Sequence, residues 1–577
     1  MVLLRRLMCV CAVVFICGMS RAAHAAGEPQ MPQVIQQFAA DSDALDATYS
    51  VEISPARRER LEKFYADTLA QLAAMNFDSF SQEDKIDYLL LKTHVTAAQH
   101  QLALEQRQVE EMAPLLPFAA TIEDLMEKKR LMQRPNGEQD AAALSEMVKQ
   151  IAATRTQLET DANQKKVDPV VANRAALATT ELSSNLHKWF DQYDGYDPAF
   201  TWWVEQPYKA AQDALKDYSS FLKEKLAGLA PGDKTTIIGD PVGRDALLKD
   251  LADNMIPYTP EELIAIAQTE YDWCMKEMLK ASHEMGEGDN WHAAVEKVKQ
   301  MHVPPGEQPD LIRKLVVEGS DFAKNNNLVT VPPLADETWR MTMMTPERQL
   351  VNPFFTGGDE ISVSYPTNTM TYDQREMSMR GNNIPFAHAT AFHEMIPGHF
   401  LQFYMMERYR PYRQIFETPF WIEGNAFWWE MLFWGKGFDQ TPEERVGALV
   451  WRMHRSARII FTMNFHLGRW TPQQCVQYLI DNVGFEPDNA TAEVRRSFDG
   501  SVGPLYQSAY LLGALQFRAL HTELVGSGKM TDRAFHDAIL HENTMPVELL
   551  RADLEDQELT RDFKTSWKFY GEHPTHP

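Results

Sequence analysis

Two imidazoles flank a carboxylate in His393-Glu394-Met395-Ile396-Pro397-Gly398-His399, the side chains that hold a zinc ion and manage the proton of a water beside it. In the compact motif H-E-x-x-H, the histidines share one helical face, four residues apart. Here they stand six apart, and on a regular helix the second ring would point roughly 120° away from the first. An unbroken helix therefore cannot serve one ion. Pro397 has no amide hydrogen and its ring collides with the carbonyl of His393, while Gly398 accepts unusual dihedrals. The pair is expected to bulge or break the helix and carry His399 round to the metal.

A third ligand is expected at Glu423, thirty residues after His393. It shares with Glu430 the helix-like, aromatic segment 422–430, where a buried carboxylate asks for a cation or a metal. The alternative is that both face solvent or pair with Lys436 and Arg445. Three ligands leave one zinc position open, as catalysis requires. Glu394 would then take a proton from a water attacking a carbonyl and return it to the leaving nitrogen.

Other residues could complete the chemistry. Arg496 has the fork that binds a substrate carboxylate, although a surface salt bridge is the commoner role for a single arginine. His388 suits a supporting or alternative ligand, and His454 and His466 lie in helical surroundings; a lone histidine is more often a satisfied polar group. Trp421, Phe427, Trp428, Trp429, Phe433 and Trp434 form either an apolar pocket or, as such stripes more often do, core. No nucleotide-binding glycine loop or nucleophile elbow stands out.

Helices must position these groups. Ser81 to Asp84, Thr259 to Glu262, Thr441 to Glu444 and Thr471 to Gln474 resemble capping boxes, with proline at 260, 442 and 472 in the first helical position. Leu263, Ile264, Ala267, Tyr271, Met275 and Met278 recur at helical steps. One strand is expected at 360–365, where Ile361, Val363 and Tyr365 alternate with serines after Gly357-Gly358. The stretch 230–243 is either the boundary between an N-terminal helical region (26–240) and a catalytic region (241–577) or a loop entering the groove. The expectation is a mainly α, two-lobed protein with a small β-sheet beside the active-site helix and the metal in the groove between lobes.

FHEMIPGHFLQ (392–402), Glu423-Gly424, PLYQSAYLLG (504–513) and Phe535-His536-Asp537 resemble the bacterial family called domain of unknown function 885. That family is similar to the gluzincin metallopeptidases, including the thimet oligopeptidase group. The resemblance covers most of the chain and is strongest from about residue 240 to 550. It implies a metallopeptidase-like fold, Zn²⁺ on His393, His399 and Glu423, and a phenol that donates to the oxyanion, Tyr510 first and Tyr506 second. Core tyrosines on a helix are the alternative reading of that pair. Asn425 stands where the family commonly has Trp and Thr462 where it usually has Asp, departures that bear on pocket shape and supporting contacts more than on the ligands.

The remaining composition bounds the setting. Arg5 and Arg6, an apolar run over 7–19 and Ala23-His24-Ala25 form an export signal (1–25), cleaved after about Ala25. Ile16 precedes Cys17 where a lipid-anchor signal wants a small residue, and no later segment has a spanning length free of charge. A periplasmic or secreted protein with no membrane span is expected. Cys274 and Cys475 remain, either one disulfide or two buried thiols. Without Arg5, Arg6 and Arg21 the chain carries 53 basic against 81 acidic residues, a surface that repels nucleic acid and mainly serves solubility. The function expected is a zinc-dependent hydrolase acting on a peptide or amide substrate, by default an oligopeptide. The rivals are an amidase for acyl conjugates and a helical binding or scaffold protein with a vestigial site.

Overall fold

Threonine followed by proline starts three long helices, Pro260–Glu284, Pro442–His466 and Pro472–Val483, and in each the capping box is closed by Glu262, Glu444 or Gln474. Ser81 caps Gln82–Met112 through Asp84 N–H. Asp84's shorter carboxylate does not complete that box; it accepts from the Ser81 hydroxyl and from Met31 N–H. The computed structural model describes residues 31–160, 166–233, 236–349 and 354–571. The expected export signal lies outside the described residues.

The fold is mainly α. Among the described residues the strands are β1, Met341–Met343, and β2, Ile361–Val363, paired parallel with Met341 opposite Ile361. The expected strand is thus present but shorter than 360–365. Its alternation does not separate a wet face from a dry one, because Ser362 is buried along with Ile361 and Val363. Arg348 Nη1 donates to Ser362 Oγ, and Ser364 Oγ donates to Gln349 Oε1.

Among the described residues, three apolar clusters hold the helices together. One lies within the N-terminal helices and includes Leu144, Leu182, Trp189, Phe200 and Leu215. A second joins the first helices to the last, from Ile35 and Leu91 to Leu512 and Phe569, and carries Phe392, Ile396 and Leu401 of the histidine segment. The third surrounds Pro442–His466 with Cys274, Met278, Phe461 and Cys475. Both cysteines are free, and burial pushes each thiol up to about 12. On Pro260–Glu284, Leu263, Ala267, Tyr271 and Met278 are buried as the periodicity predicts. In the 230–243 stretch, Gly239 lies against the ring of Phe465 and the Cβ of Phe498, and Gly243 N–H donates to His466 O.

Candidate metal centre and cleft

The helix Ile384–Glu394 begins at Asn383, whose side chain accepts from Phe386 N–H, and stops one residue after His393. Met395 leaves helical geometry (φ −122°, ψ −99°), and the helix His399–Met406 starts from Gly398 (φ −78°, ψ −135°). The chain doubles back so tightly that Gly398 N–H donates to Phe392 O at 3.0 Å. A Cβ on Gly398 would sit 1.7 Å from the His393 carbonyl oxygen, so only glycine fits there. The expected break therefore occurs, and it sets the two imidazoles at 4.9 Å between centroids, nearly perpendicular.

Glu423 reaches the same point from the helix Pro419–Gly435. Its Oε2 lies 3.2 Å from His399 Nε2 and 3.8 Å from His393 Nε2. The three donor atoms all lie within 4.8 Å of one another. Each side chain is buried. Glu423 Oε1 accepts from Tyr506 OH at 2.5 Å and Tyr510 OH at 2.8 Å, whereas Oε2 has no hydrogen-bond donor among the described residues. A buried carboxylate oxygen left bare toward two ring nitrogens is costly unless a cation completes it. Two imidazole nitrogens and one carboxylate oxygen are the donor set of a catalytic zinc, so these residues fit the ion.

The other ring nitrogens are fixed from behind. His393 Nδ1 lies 2.7 Å from Glu430 Oε1, and His399 Nδ1 lies 3.0 Å from Gln402 Oε1. Gln402 Nε2 donates to Ile422 O, which turns its oxygen to His399. His399 Nδ1 faces an acceptor and carries the proton, which leaves its Nε2 lone pair toward Glu423 when the ring is neutral; His393 Nδ1 is near Glu430 without forming a hydrogen bond to it. In the metal-free protein, burial opposes a charge on His393, but Glu423 and Glu430 outweigh it and push its pKa up to about 9. Burial works against ionised Glu423 too, yet His399 and His393 hold it well below the usual carboxylate range.

Close helix packing brings the tyrosines to Glu423. Gly424 and Gly513 face each other where Pro419–Gly435 crosses Tyr506–His521, and a Cβ on Gly513 would lie 2.1 Å from Phe420 O. With no side chain at the crossing, Tyr506 and Tyr510 reach the carboxylate one residue before Gly424. The resemblance implies an oxyanion donor at Tyr510; in this structure both phenols donate to Glu423. Burial and the neighbouring carboxylate raise both phenol pKa values, that of Tyr510 to about 12.

These groups line a cleft of about 410 Å³. Glu394, half-buried on its wall, accepts a hydrogen bond from Gly357 N–H through Oε2. It stands outside the converging donor set. Gly357 follows Thr356, which pairs with Ser362 of β2, so the small sheet touches the site through this loop. Arg496 also lines the cleft, 5.7 Å over the Tyr506 ring, and no carboxylate of the described residues lies within ion-pair distance of it. Its expected surface salt bridge is therefore not formed.

Other histidines are elsewhere engaged. His388 Nδ1 lies 3.3 Å from Asp439, and His466 Nδ1 accepts from Val242 N–H. His454 lines the cleft beside Glu493, and burial lowers its pKa to about 3. Trp421, Phe427, Trp428, Trp429 and Phe433 are buried core, and Trp434 packs on Trp273. The aromatic wall comes instead from Phe354, Phe355, Phe386, Phe403 and Trp451.

The sequence reading noticed Glu430 as a carboxylate among aromatics but not its place behind His393, and it missed Gln402, Arg455 and Arg458. Glu430 lies two turns beyond Glu423 and Gln402 one turn beyond His399, spacings that share a helix face and could have suggested paired roles. Arg455 and Arg458, a turn apart on Pro442–His466, carried no such signal.

Residues 38–554 match the family described as "Bacterial protein of unknown function (DUF885)", and the chain belongs to that family. No curated protein matches it. Solved structures share the fold, two of them as follows. A "putative lipoprotein of unknown function" from Shewanella oneidensis aligns at TM-score 0.67 with 17% identity, over 91% of this chain and 100% of its own. A "putative lipoprotein" from Colwellia psychrerythraea aligns at TM-score 0.56 with 14% identity, over 91% and 97%.

Proposed function

We propose that the protein is an exported zinc-dependent hydrolase of peptide or amide bonds, similar in its chemistry to the gluzincin metallopeptidases. The observation that carries this reading is the convergence of His393 Nε2, His399 Nε2 and the bare Oε2 of Glu423 beside the cleft carboxylate of Glu394. Zinc held by these three residues would supply an open position for water and a Lewis acid for the scissile carbonyl. Glu394, anchored through one oxygen by Gly357 N–H, accepts the proton of the attacking water and passes it to the departing nitrogen. Glu430 and Gln402 hold the imidazoles in their binding orientation. Tyr506 and Tyr510 keep Glu423 aimed, and either phenol turned toward substrate would donate to the oxyanion. The apolar cleft wall favours a substrate with apolar side chains. The export reading rests on residues 1–25, and no described helix is long and apolar enough to cross a membrane.

The test is to load purified protein with zinc and incubate it with a mixed peptide pool and a panel of N-acyl amides, with and without a chelator. Chelator-sensitive cleavage of peptides is expected. Cleavage of acyl amides alone would point to an amidase, and no cleavage of either by fully loaded protein would leave a binding or scaffold role.

A further inference from the structure

Of the three arginines on the cleft wall, two are paired with a carboxylate and one is not. Arg455 Nη2 lies 3.4 Å from Glu430, and Arg458 Nε donates to Glu493 at 2.6 Å. Arg496 has no such partner among the described residues and opens onto the cleft. Arg458 has a further unused donor: its side chain is only 5% exposed, yet its Nη1 is buried with no hydrogen-bond acceptor among the described residues. Both guanidiniums lie over the tyrosines that grip Glu423, Arg496 at 5.7 Å from the Tyr506 ring and Arg458 at 4.3 Å from the Tyr510 ring. A buried guanidinium donor without an acceptor is costly. Next to a hydrolytic centre, the acceptor that suits it is a carboxylate brought by the substrate.

We propose that this site takes short peptides by their free C-terminal carboxylate, with Arg496 as the fork and Arg458 Nη1 as a supporting donor, and releases the C-terminal one or two residues. The proposal rests on the hydrolase reading above and names its substrate class. Arg496 lies over the tyrosine that bonds Glu423 and lines the same cleft as His393, His399 and Glu394, so a chain end held by its fork would run along the cleft to the scissile bond. A cleft of about 410 Å³ suits a chain end better than a long segment crossing in both directions. In the reaction the scissile C–N bond breaks. The oxygen of water joins the acyl carbon, its proton goes through Glu394 to the nitrogen, and an amino acid or dipeptide leaves with the carboxylate that Arg496 held.

The test compares acetyl-Ala-Phe with acetyl-Ala-Phe-amide, which differ only at that carboxylate. Binding is measured by calorimetry on zinc-loaded Glu394→Gln protein, where the probe stays intact, and cleavage on zinc-loaded protein with Glu394 in place. The acid is expected to bind about 10- to 100-fold more tightly than the amide. Adding Arg496→Ala or Arg496→Gln should collapse that preference to less than about threefold, with Arg496→Lys in between because a point charge lacks the fork. Thermal unfolding identifies any variant that fails to fold, and the milder Gln and Lys changes keep the test open in that case. Equal binding of acid and amide, or a preference that survives both neutral substitutions, overturns the proposal. If the preference is present and lost as expected but neither probe nor any other peptide is cut, carboxylate recognition stands and the hydrolase reading falls.

Discussion

Two helices of 25 residues, Pro169–Tyr193 and Pro442–His466, both begin with proline after a capping side chain, yet they solve different problems. The first buries Ala172, Ala175, Ala176, Thr179, Leu182, Leu186 and Trp189, a stripe at steps of three and four, and turns its other face outward. The second is buried without a break from Leu449 to His466, and that interior includes Arg452, His454, Arg455 and Arg458. Charge survives there because partners meet it: Glu270 for Arg452, Glu430 for Arg455 and Glu493 for Arg458. The N-terminal helix is a packing element whose sequence period states its role. The central helix gives up apolar burial to hold an electrostatic wall, and the cleft lies against that wall.

The contrast predicts separable effects. The largest belongs to the cleft: Glu394→Gln keeps shape but cannot accept a proton, so kcat should fall about 10²- to 10⁴-fold with zinc content unchanged. Wild-type turnover in that variant would remove Glu394 from the chemistry. Next, Glu493→Gln leaves the buried Arg458 without its counter-charge and should destabilise the fold by about 3–5 kcal/mol, read by denaturant unfolding. A cost near that of a surface pair would show that the central helix does not depend on charge matching. Leu182→Ala in the N-terminal core should cost about 2–5 kcal/mol of stability, while the protein that remains folded keeps its kcat. A large kcat loss there would mean that the two regions are coupled. The smallest effect concerns pH. His393 is protonated below about 9 in the metal-free protein and must release that proton to bind zinc. Zinc affinity should therefore weaken as pH falls, by about tenfold per unit below 9 for one proton; a competition titration giving a flat profile between pH 6.5 and 8.5 would contradict this.

Much of this architecture was legible in residue types. Thr259, Thr441 and Thr471 each precede proline and stand three residues before Glu or Gln, so local chemistry alone set those helix starts. Pro397 and Gly398 likewise announced the break, because neither ring geometry nor backbone crowding at His393 permits a continuous helix. β1 left no signal, since three residues are too few to show a period and its partner lies across a loop. Glu430 drew notice as a carboxylate among aromatics, but its contact with His393 depends on how two helices cross. The same holds for Arg455 and Arg458, whose partners come from other helices. The six-residue aromatic set fitted a pocket or a core equally in sequence; packing behind Glu423 rather than into the cleft decided for core. Local rules thus recover elements and the three residues that converge, whereas the supporting contacts require tertiary geometry.

The central claim is that His393, His399 and Glu423 form one zinc centre despite the six-residue spacing. It is tested most directly by elemental analysis of protein purified without chelator and re-equilibrated with zinc, alongside His399→Ala and Glu423→Gln. The account predicts stoichiometric zinc in the wild-type protein and strong loss in both variants, with thermal unfolding showing that each remains folded. Wild-type protein that takes up no zinc, or variants that bind it as tightly as wild type, would contradict it.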